Sequence, residues 1–339
     1  MAIRVAINGF GRIGRIAFRQ MFGKEEFDIV AVNGIENAEM AAYLLKYDSA
    51  QGRYELCDQV KAGNHSIIVG EKEIPLYNVR KAEELPWKEI GVDVVAECSG
   101  AYKTKEKAMD HINAGAKKVV ISAPAGNDVP TIVYNVNHKV LKAEDIIISA
   151  ASCTTNCLAP MADVLHKYAP IQAGLMTSIH AYTGDQKTLD APHKKGNYRR
   201  ARAAGVNIVP NSSGAAAAIG LVIPELNGKL NGSAQRVPVA TGSSTLLMAV
   251  VKREGLTVEG INEVMKANAN ETLGFTTEDI VSSDIIGDLH GGVFDATQTM
   301  VTPVCDDLFE VQVVAWYDNE SGYTSQMLRT IKYVAGLHI

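Results

Sequence analysis

Over its first half the chain alternates two hydrophobic rhythms. Short apolar runs at 3–8, 29–33, 92–97, 119–122 and 146–149 read as buried strands, and helical spacing begins at Arg12 and again over 38–45. Strands buried on both faces and separated by helices imply a parallel sheet with crossover helices. Beyond Cys153 the rhythm changes. Longer strand-like runs at 175–180, 236–239, 245–251 and 309–316, with a helix over 258–268 among them, predict an α+β unit on a mixed or largely antiparallel sheet. Pro160 falls inside the helix that starts at Cys153, where it removes one backbone hydrogen bond and bends the axis. A last helix over 321–334 is expected to pack back on the first unit. The predicted division is 1–151, then 152–318, then a returning segment of about 319–339.

With 339 residues the chain has room for two well-buried cores. A formal net charge of −5 leaves no electrostatic footprint for nucleic acid. No apolar run approaches the length of a membrane span. The first apolar residues meet a glycine turn and Arg12 at once, so no signal peptide and no membrane partner are expected, and a cytoplasmic protein is. Five cysteines, Cys57, Cys98, Cys153, Cys157 and Cys305, form an odd, scattered set that suits reduced thiols. Cys153 and Cys157 stand four apart without the Cys-x-x-Cys form or a nearby histidine cluster, so no metal site is expected. All except Cys153 read as small buried residues.

Two constellations carry chemistry. The strand at 3–8 runs straight into Gly9-Phe10-Gly11-Arg12-Ile13-Gly14 and then into a helix. In that strand–turn–helix context the three glycines are a dinucleotide fingerprint: they permit the tight turn and let a pyrophosphate reach the helix N-terminus. This assigns 1–151 as the dinucleotide-binding domain and 152–318 as the catalytic one. Further on, the apolar run at 146–148 delivers Ser152 as a helix N-cap and Cys153 in the first turn. Orphan N–H groups and the helix dipole there favour a thiolate nucleophile. His180, at the end of the 175–180 run, is the available base. Between His180 and Pro210 lies a long polar stretch with Lys187, His193, Lys194, Lys195, Arg199, Arg200 and Arg202, whose length suits a working loop.

Five motifs in order, Asn8 to Gly14, Ser152-Cys153-Thr154-Thr155-Asn156-Cys157, His180-Ala181-Tyr182-Thr183, Gln235-Arg236-Val237-Pro238 and Trp316-Tyr317-Asp318-Asn319-Glu320, together closely resemble the phosphorylating glyceraldehyde-3-phosphate dehydrogenases, across essentially the whole chain. The resemblance implies a Rossmann-type parallel-sheet domain plus an α+β catalytic domain. It implies oxidation of D-glyceraldehyde 3-phosphate with inorganic phosphate to 1,3-bisphosphoglycerate, through a thiohemiacetal and a thioester on Cys153, with His180 as base and NAD as hydride acceptor. Thr183 and Arg236 would bind the substrate's phosphate. Ser152, Thr154, Ser213 and Gly214 would hold the attacking phosphate, with Arg200 nearby. Arg12 and Ile13 would lie at the cofactor's pyrophosphate, Arg80 and Ser122 near the cofactor, Asn319 at the nicotinamide amide and Tyr323 close to its ring. The basic stretch resembles the family's S-shaped loop, near a neighbouring subunit's cofactor in a homotetramer.

Departures stand out against that pattern. NAD-specific members place an acidic residue after the second strand to hold the adenosine ribose, where this chain has Gly34. With no side chain to hold the ribose or repel a 2′-phosphate, use of both NAD and NADP is expected. Ala191-Pro192 mixes residues of the two cofactor classes, Ser213 stands where threonine is common, Ala217 where lysine is frequent and Ala240 where proline is. Competing readings are an erythrose-4-phosphate or semialdehyde dehydrogenase using the same Cys/His chemistry, and a non-enzymatic binding protein on an inherited fold.

Overall fold

The computed structural model describes residues 1–194 and 196–337. Lys195 of the basic stretch and residues 338–339 of the predicted C-terminal segment lie outside them. The chain forms two compact units, one of Met1–Ala151 with Thr324–Ile339, the other of Ser152–Tyr323. Among the described residues, no helix is long and apolar enough to cross a membrane.

The first unit comprises β1 (Ile3–Asn8), α1 (Arg12–Met21), β2 (Phe27–Asn33), α2 (Ala38–Lys46), β3 (Val60–Gly63), β4 (Ser66–Val69), β5 (Lys72–Tyr77), β6 (Val94–Glu97), α3 (Lys105–Asn113), β7 (Lys118–Ile121) and β8 (Ile147–Ser149). Its sheet runs β3-β4-β5-β2-β1-β6-β7-β8. Strands β5, β2, β1, β6, β7 and β8 pair in parallel, a Rossmann-type arrangement, and β3 and β4 add an antiparallel edge. The expected apolar runs are the central strands, which bury Val5, Ile7, Val95 and Val119 completely. The β3–β5 meander was not anticipated. Its strands are short and half polar, with Pro75 inside β5, and bury alternate residues such as Ile74 and Leu76.

Close backbone packing defines the β1–α1 turn. Gly9 sits at φ 96°, where a Cβ would fall 2.3 Å from the Ser99 nitrogen, and a Cβ on Gly14 would fall 2.0 Å from the Gly9 carbonyl oxygen. Gly11 caps α1 with no side-chain bond, leaving the first-turn N–H groups to whatever binds there. Beneath the turn lies a buried polar network. The Trp87 indole N–H donates to His111 Nδ1 at 3.0 Å, so the ring proton sits on Nε2 and faces Glu97 at 3.1 Å. The Glu97 carboxylate also accepts from the Asn8 side chain and from the backbone and hydroxyl of Ser99, as a buried carboxylate requires.

The second unit contains α4 (Cys153–Tyr168), β9 (Ile171–Ala181), β10 (Val209–Ser212), α5 (Ala215–Val222), β11 (Leu230–Val237), β12 (Ser243–Lys252), α6 (Val258–Ala267), β13 (Leu273–Thr276), β14 (Gly292–Asp295), β15 (Met300–Cys305) and β16 (Leu308–Tyr317). The sheet order is β10-β11-β9-β12-β16-β14-β13, with β15 on β16. It is mixed, because β9–β11 and β13–β14 are parallel and the other pairs antiparallel. Helix α4 packs on β12, β14 and β16 and α5 on β11. Pro160 lies within α4, which continues through it. The strand expected at 236–239 starts earlier and ends at Val237, since Pro238 has no N–H for the ladder. A final helix, α7 (Ser321–Ala335), buries Met327, Leu328, Ile331 and Val334 on one stripe. From Thr324 on it belongs to the first unit, where Ser325 donates to Gln20 at 3.0 Å and Lys332 pairs with Glu26 at 3.0 Å.

Replacing Gly14 by Ala should overpack the turn and cost about 1–3 kcal/mol. Gly11→Ala, whose Cβ would meet nothing within 4 Å, should lose less than about 1 kcal/mol, the difference in cap preference. Denaturant melts of the two variants check this order.

Candidate active site and dinucleotide cleft

Two segments of the second unit converge on a sulfur. After β8 the chain turns through Ala151 at φ 57°, a left-handed conformation that a β-carbon makes costly. Ser152 follows as N-cap, its Oγ accepting from the Thr155 N–H at 3.1 Å, and Cys153 opens α4. Strand β9 supplies the partner. Ser178 and His180 point to one face, as residues two apart in a strand must, and both are buried. His180 Nε2 lies 3.3 Å from Cys153 Sγ.

The other ring nitrogen fixes the tautomer. Nδ1 lies 2.7 Å from the Ala181 carbonyl oxygen, which accepts its proton, so the Nε2 lone pair faces the thiol. Arg236 Nη1 donates to the same carbonyl at 3.1 Å and to Thr183 Oγ1 at 3.1 Å. It therefore stands beside Nδ1, at 3.0 Å, as a second donor to one acceptor. The pairing register makes this possible, because β11 sets Arg236 directly opposite His180.

Burial pushes the Cys153 thiol above its ordinary range, opposed by the Arg236 charge and hydrogen bonds from Thr154. Burial and then Arg236 push His180 down to about 3. Each group taken alone is thus held neutral, and the helix-terminal preference for a thiolate is outweighed. Transfer of the proton from Sγ to Nε2 creates both charges at once, at contact distance, where their attraction offsets the desolvation that each would suffer separately.

Sequence reasoning did not assign Tyr317. Its buried hydroxyl bridges Thr154 Oγ1 at 3.0 Å and Ser178 Oγ at 2.8 Å, joining α4 to β9 behind the Cys–His pair, and its ring meets His180 edge-on. The signal was present in the Trp316 to Glu320 motif. Asp185 is a second addition: it accepts from Thr183 Oγ1 and pairs with Arg200. Arg200 also donates from Nε to Asn211 at 3.0 Å. The buried Nε of Arg236 has no hydrogen-bond partner among the described residues, an orphan donor beside Thr183. Ser213 and Gly214 lead into α5, where the N-cap Gly214 brings no side chain and Ser213 Oγ accepts from the Ala215 N–H at 3.3 Å, and α5 packs on α4. Asn319 is buried, its side-chain oxygen accepting from Ser243 Oγ at 2.9 Å, while Ser243 accepts from the Ala181 N–H at 3.0 Å. Tyr323 is buried in the first turn of α7.

The first unit holds a cleft of about 860 Å³ lined by Gly9, Gly11, Gly34 and Arg80 of the expected residues, and by Phe10, Arg15 and Glu36 among others. Arg12, Ile13, Gly14 and Ser122 do not line it. Arg12 pairs with Asp48 at 2.5 Å, Gly14 packs under Gly9, and Ser122 donates its N–H to Glu97. The glycine turn, the open approach at Gly11 and the uncapped start of α1 fit a dinucleotide pyrophosphate. Cys57 and Cys157 are buried as expected, but Cys98 is only partly buried and Cys305 is exposed on edge strand β15. Among the described residues no group of three or more His, Cys, Asp or Glu could hold a metal.

A Rossmann-type unit and an α+β unit that sets a partly buried cysteine against a buried histidine fit the class of nicotinamide-dependent dehydrogenases. The family model described as glyceraldehyde 3-phosphate dehydrogenase, NAD binding domain, matches residues 3–105, and that described as glyceraldehyde 3-phosphate dehydrogenase, C-terminal domain, matches residues 152–319. A glyceraldehyde-3-phosphate dehydrogenase of Clostridium pasteurianum is 55% identical over 332 residues, 98% of each chain. One from Streptococcus pyogenes is 53% identical over 336 residues, 99% of each chain. The chain belongs to the glyceraldehyde-3-phosphate dehydrogenase family.

If His180 takes the thiol proton, His180→Asn must leave the thiolate without its counter-charge. Alkylation of Cys153 by iodoacetamide should then slow at neutral pH and recover only at higher pH. An unchanged pH profile would show that the sulfur owes its reactivity to α4 alone.

Proposed function

We propose that the protein oxidises D-glyceraldehyde 3-phosphate to 1,3-bisphosphoglycerate, taking up inorganic phosphate and reducing NAD+. The observation that carries this reading is the 3.3 Å contact between Cys153 Sγ and His180 Nε2, with Arg236 and its unpartnered Nε alongside. Full-length likeness to enzymes of that name supports it.

Cys153 attacks the aldehyde carbon as its proton passes to His180, and the imidazolium returns that proton to the new alkoxide, giving a thiohemiacetal. The N–H groups of Cys153 and Thr154, which stand in the first turn of α4 without a carbonyl partner in the helix ladder and lie beside the sulfur, favour negative charge on that oxygen. His180 then takes the hydroxyl proton as the carbon is oxidised, leaving a thioester on Sγ. Bound NAD+ supplies the acceptor for the hydride. Phosphate attacks the thioester, and the departing thiolate meets the imidazolium that His180 has become. Arg236 and Thr183 hold the substrate's phosphate, since a guanidinium and a hydroxyl supply the forked donors a phosphate needs. Ser152, Thr154, Ser213 and Gly214 receive the attacking phosphate at the starts of α4 and α5, with Arg200 nearby.

On the cofactor side, Gly9, Gly11, Arg12, Ile13 and Gly14 form the pyrophosphate turn, Arg80 and Ser122 flank the cofactor, and Asn319 and Tyr323 serve the nicotinamide. Shared use of NADP requires an empty place beside Gly34, and the Glu36 carboxylate lies there. A cytoplasmic homotetramer belongs to the same proposal. Leu175 and Met248, paired on adjacent strands β9 and β12 and 64% and 46% exposed, give the second unit an apolar patch suited to a subunit interface.

Cys153→Ser should abolish aldehyde oxidation while leaving NAD+ binding intact, because an alkoxide forms far less readily than a thiolate near neutral pH. Arg236→Ala should raise KM for glyceraldehyde 3-phosphate by about 10–100-fold, the worth of a charge-assisted hydrogen bond. Unphosphorylated glyceraldehyde should be affected much less. Steady-state kinetics with both aldehydes and with erythrose 4-phosphate, each with and without inorganic phosphate, check the substrate and the acyl acceptor together. Oxidation that ignores phosphate would overturn the proposal.

A further inference from the structure

At the end of β2 the place of a residue-34 side chain is already filled. Glu36 folds back over Gly34: a Cβ on Gly34 would lie 2.8 Å from Glu36 Oε2 and 3.0 Å from its Cδ. The carboxylate is held there by the Ile35 N–H, which donates to Oε2 at 2.9 Å. The backbone beneath it is pinned from both sides. Gly34 donates its N–H to the Tyr77 carbonyl at 3.0 Å, and the Asn78 side chain donates to the carbonyls of Gly34 at 3.0 Å and Glu36 at 2.8 Å. Gly34 and Glu36 line the same cleft as Gly9 and Gly11.

We propose that Glu36 is the acceptor for the adenosine ribose hydroxyls and the residue that rejects a 2′-phosphate, and that Gly34 is glycine because its Cβ would displace that carboxylate. The inference rests on the NAD-dependent reading of the cleft. One backbone N–H occupies only part of the carboxylate's accepting capacity, which leaves lone pairs for both hydroxyls of a ribose diol. A phosphate ester at the 2′ position would set two or nearly two negative charges against the same group. Two cations line the cleft: Arg15, whose Nη1 is committed to the Phe10 carbonyl at 2.6 Å, and the exposed Arg80. This proposal stands against the dual cofactor use expected from Gly34. The acidic group is present, and it reaches the site from two residues further along the chain.

Equilibrium titration of the purified protein with NAD+ and with NADP+, followed by calorimetry, tests this without any turnover. The wild type should bind NAD+ at least about 100-fold more tightly than NADP+, as like-charge juxtaposition demands. Glu36→Gln keeps the shape and removes the charge, so it should shift the ratio of the two dissociation constants toward NADP+ by about tenfold or more, the scale of one charged hydrogen bond. Gly34→Ala, which leaves Glu36 in the chain but obstructs its carboxylate, should move the ratio the same way, and it carries the test if Glu36→Gln does not fold. Wild-type affinities within threefold of each other, or a ratio that neither folded variant changes, would overturn the role of Glu36. Failure of the wild type to bind either nucleotide would instead overturn the cofactor assignment on which it rests.

Discussion

The parallel pairing of β9 with β11 sets His180 opposite Arg236, and the second unit is arranged around that register. A slip of one residue would turn His180 to the other face of the sheet, away from α4, and carry Ser178 with it. The register is enforced from several directions. On its other edge β9 is locked to β12 over most of its length, and β12 is paired to β16 over ten residues. Tyr317 ends β16 and reaches across to both Ser178 and Thr154, so the hydroxyl network also ties the N-terminus of α4 to the strand that carries the base. The position of Cys153 Sγ relative to His180 Nε2 is thus a property of sheet packing rather than of a loop.

That rigidity suits a site whose charges are unstable when separate. Burial opposes a lone thiolate at Cys153 and a lone imidazolium at His180, and Arg236 adds to the cost of the second while easing the first. A proton moved over 3.3 Å between them changes no net charge, so the barrier to forming the nucleophile depends on the contact distance more than on either group's own acidity. The same guanidinium that disfavours the imidazolium carries an orphan Nε. An anion bound there would offset the positive charge beside the ring and raise the proton affinity of His180.

Much of this was legible from residues because it is local. The strand–turn–helix of Gly9 to Gly14, the Ser152 cap ahead of Cys153 and the helical stripe near the C-terminus all follow from spacing and propensity within a few residues. What escaped was non-local. Strands β3 to β5 are too short and too polar to register as a buried sheet until β5 pairs with β2. Asp185 matters because the fold brings it to Arg200 and Thr183. Tyr317 acts on residues far away in sequence, which no window of periodicity contains. Cys305 was expected to be buried from residue type alone, and its exposure reflects an edge strand that composition does not reveal.

Gly34 shows the general difficulty most clearly. A motif read by position finds no acidic residue there and infers an empty ribose site. Volume, however, is shared among neighbours: the turn after β2 is held open by Asn78, and the space above a glycine is available to any side chain long enough to return to it. Glu36 is long enough, and the Ile35 N–H gives it a reason to stay. The same logic, run in the opposite direction, governs Gly9 and Gly14, whose missing side chains are filled by backbone from the segment just after β6 and from the turn itself. Gly9, Gly14 and Gly34 therefore each mark a place something else occupies, whereas the place above Gly11 is open, and at Gly34 the occupant is a carboxylate.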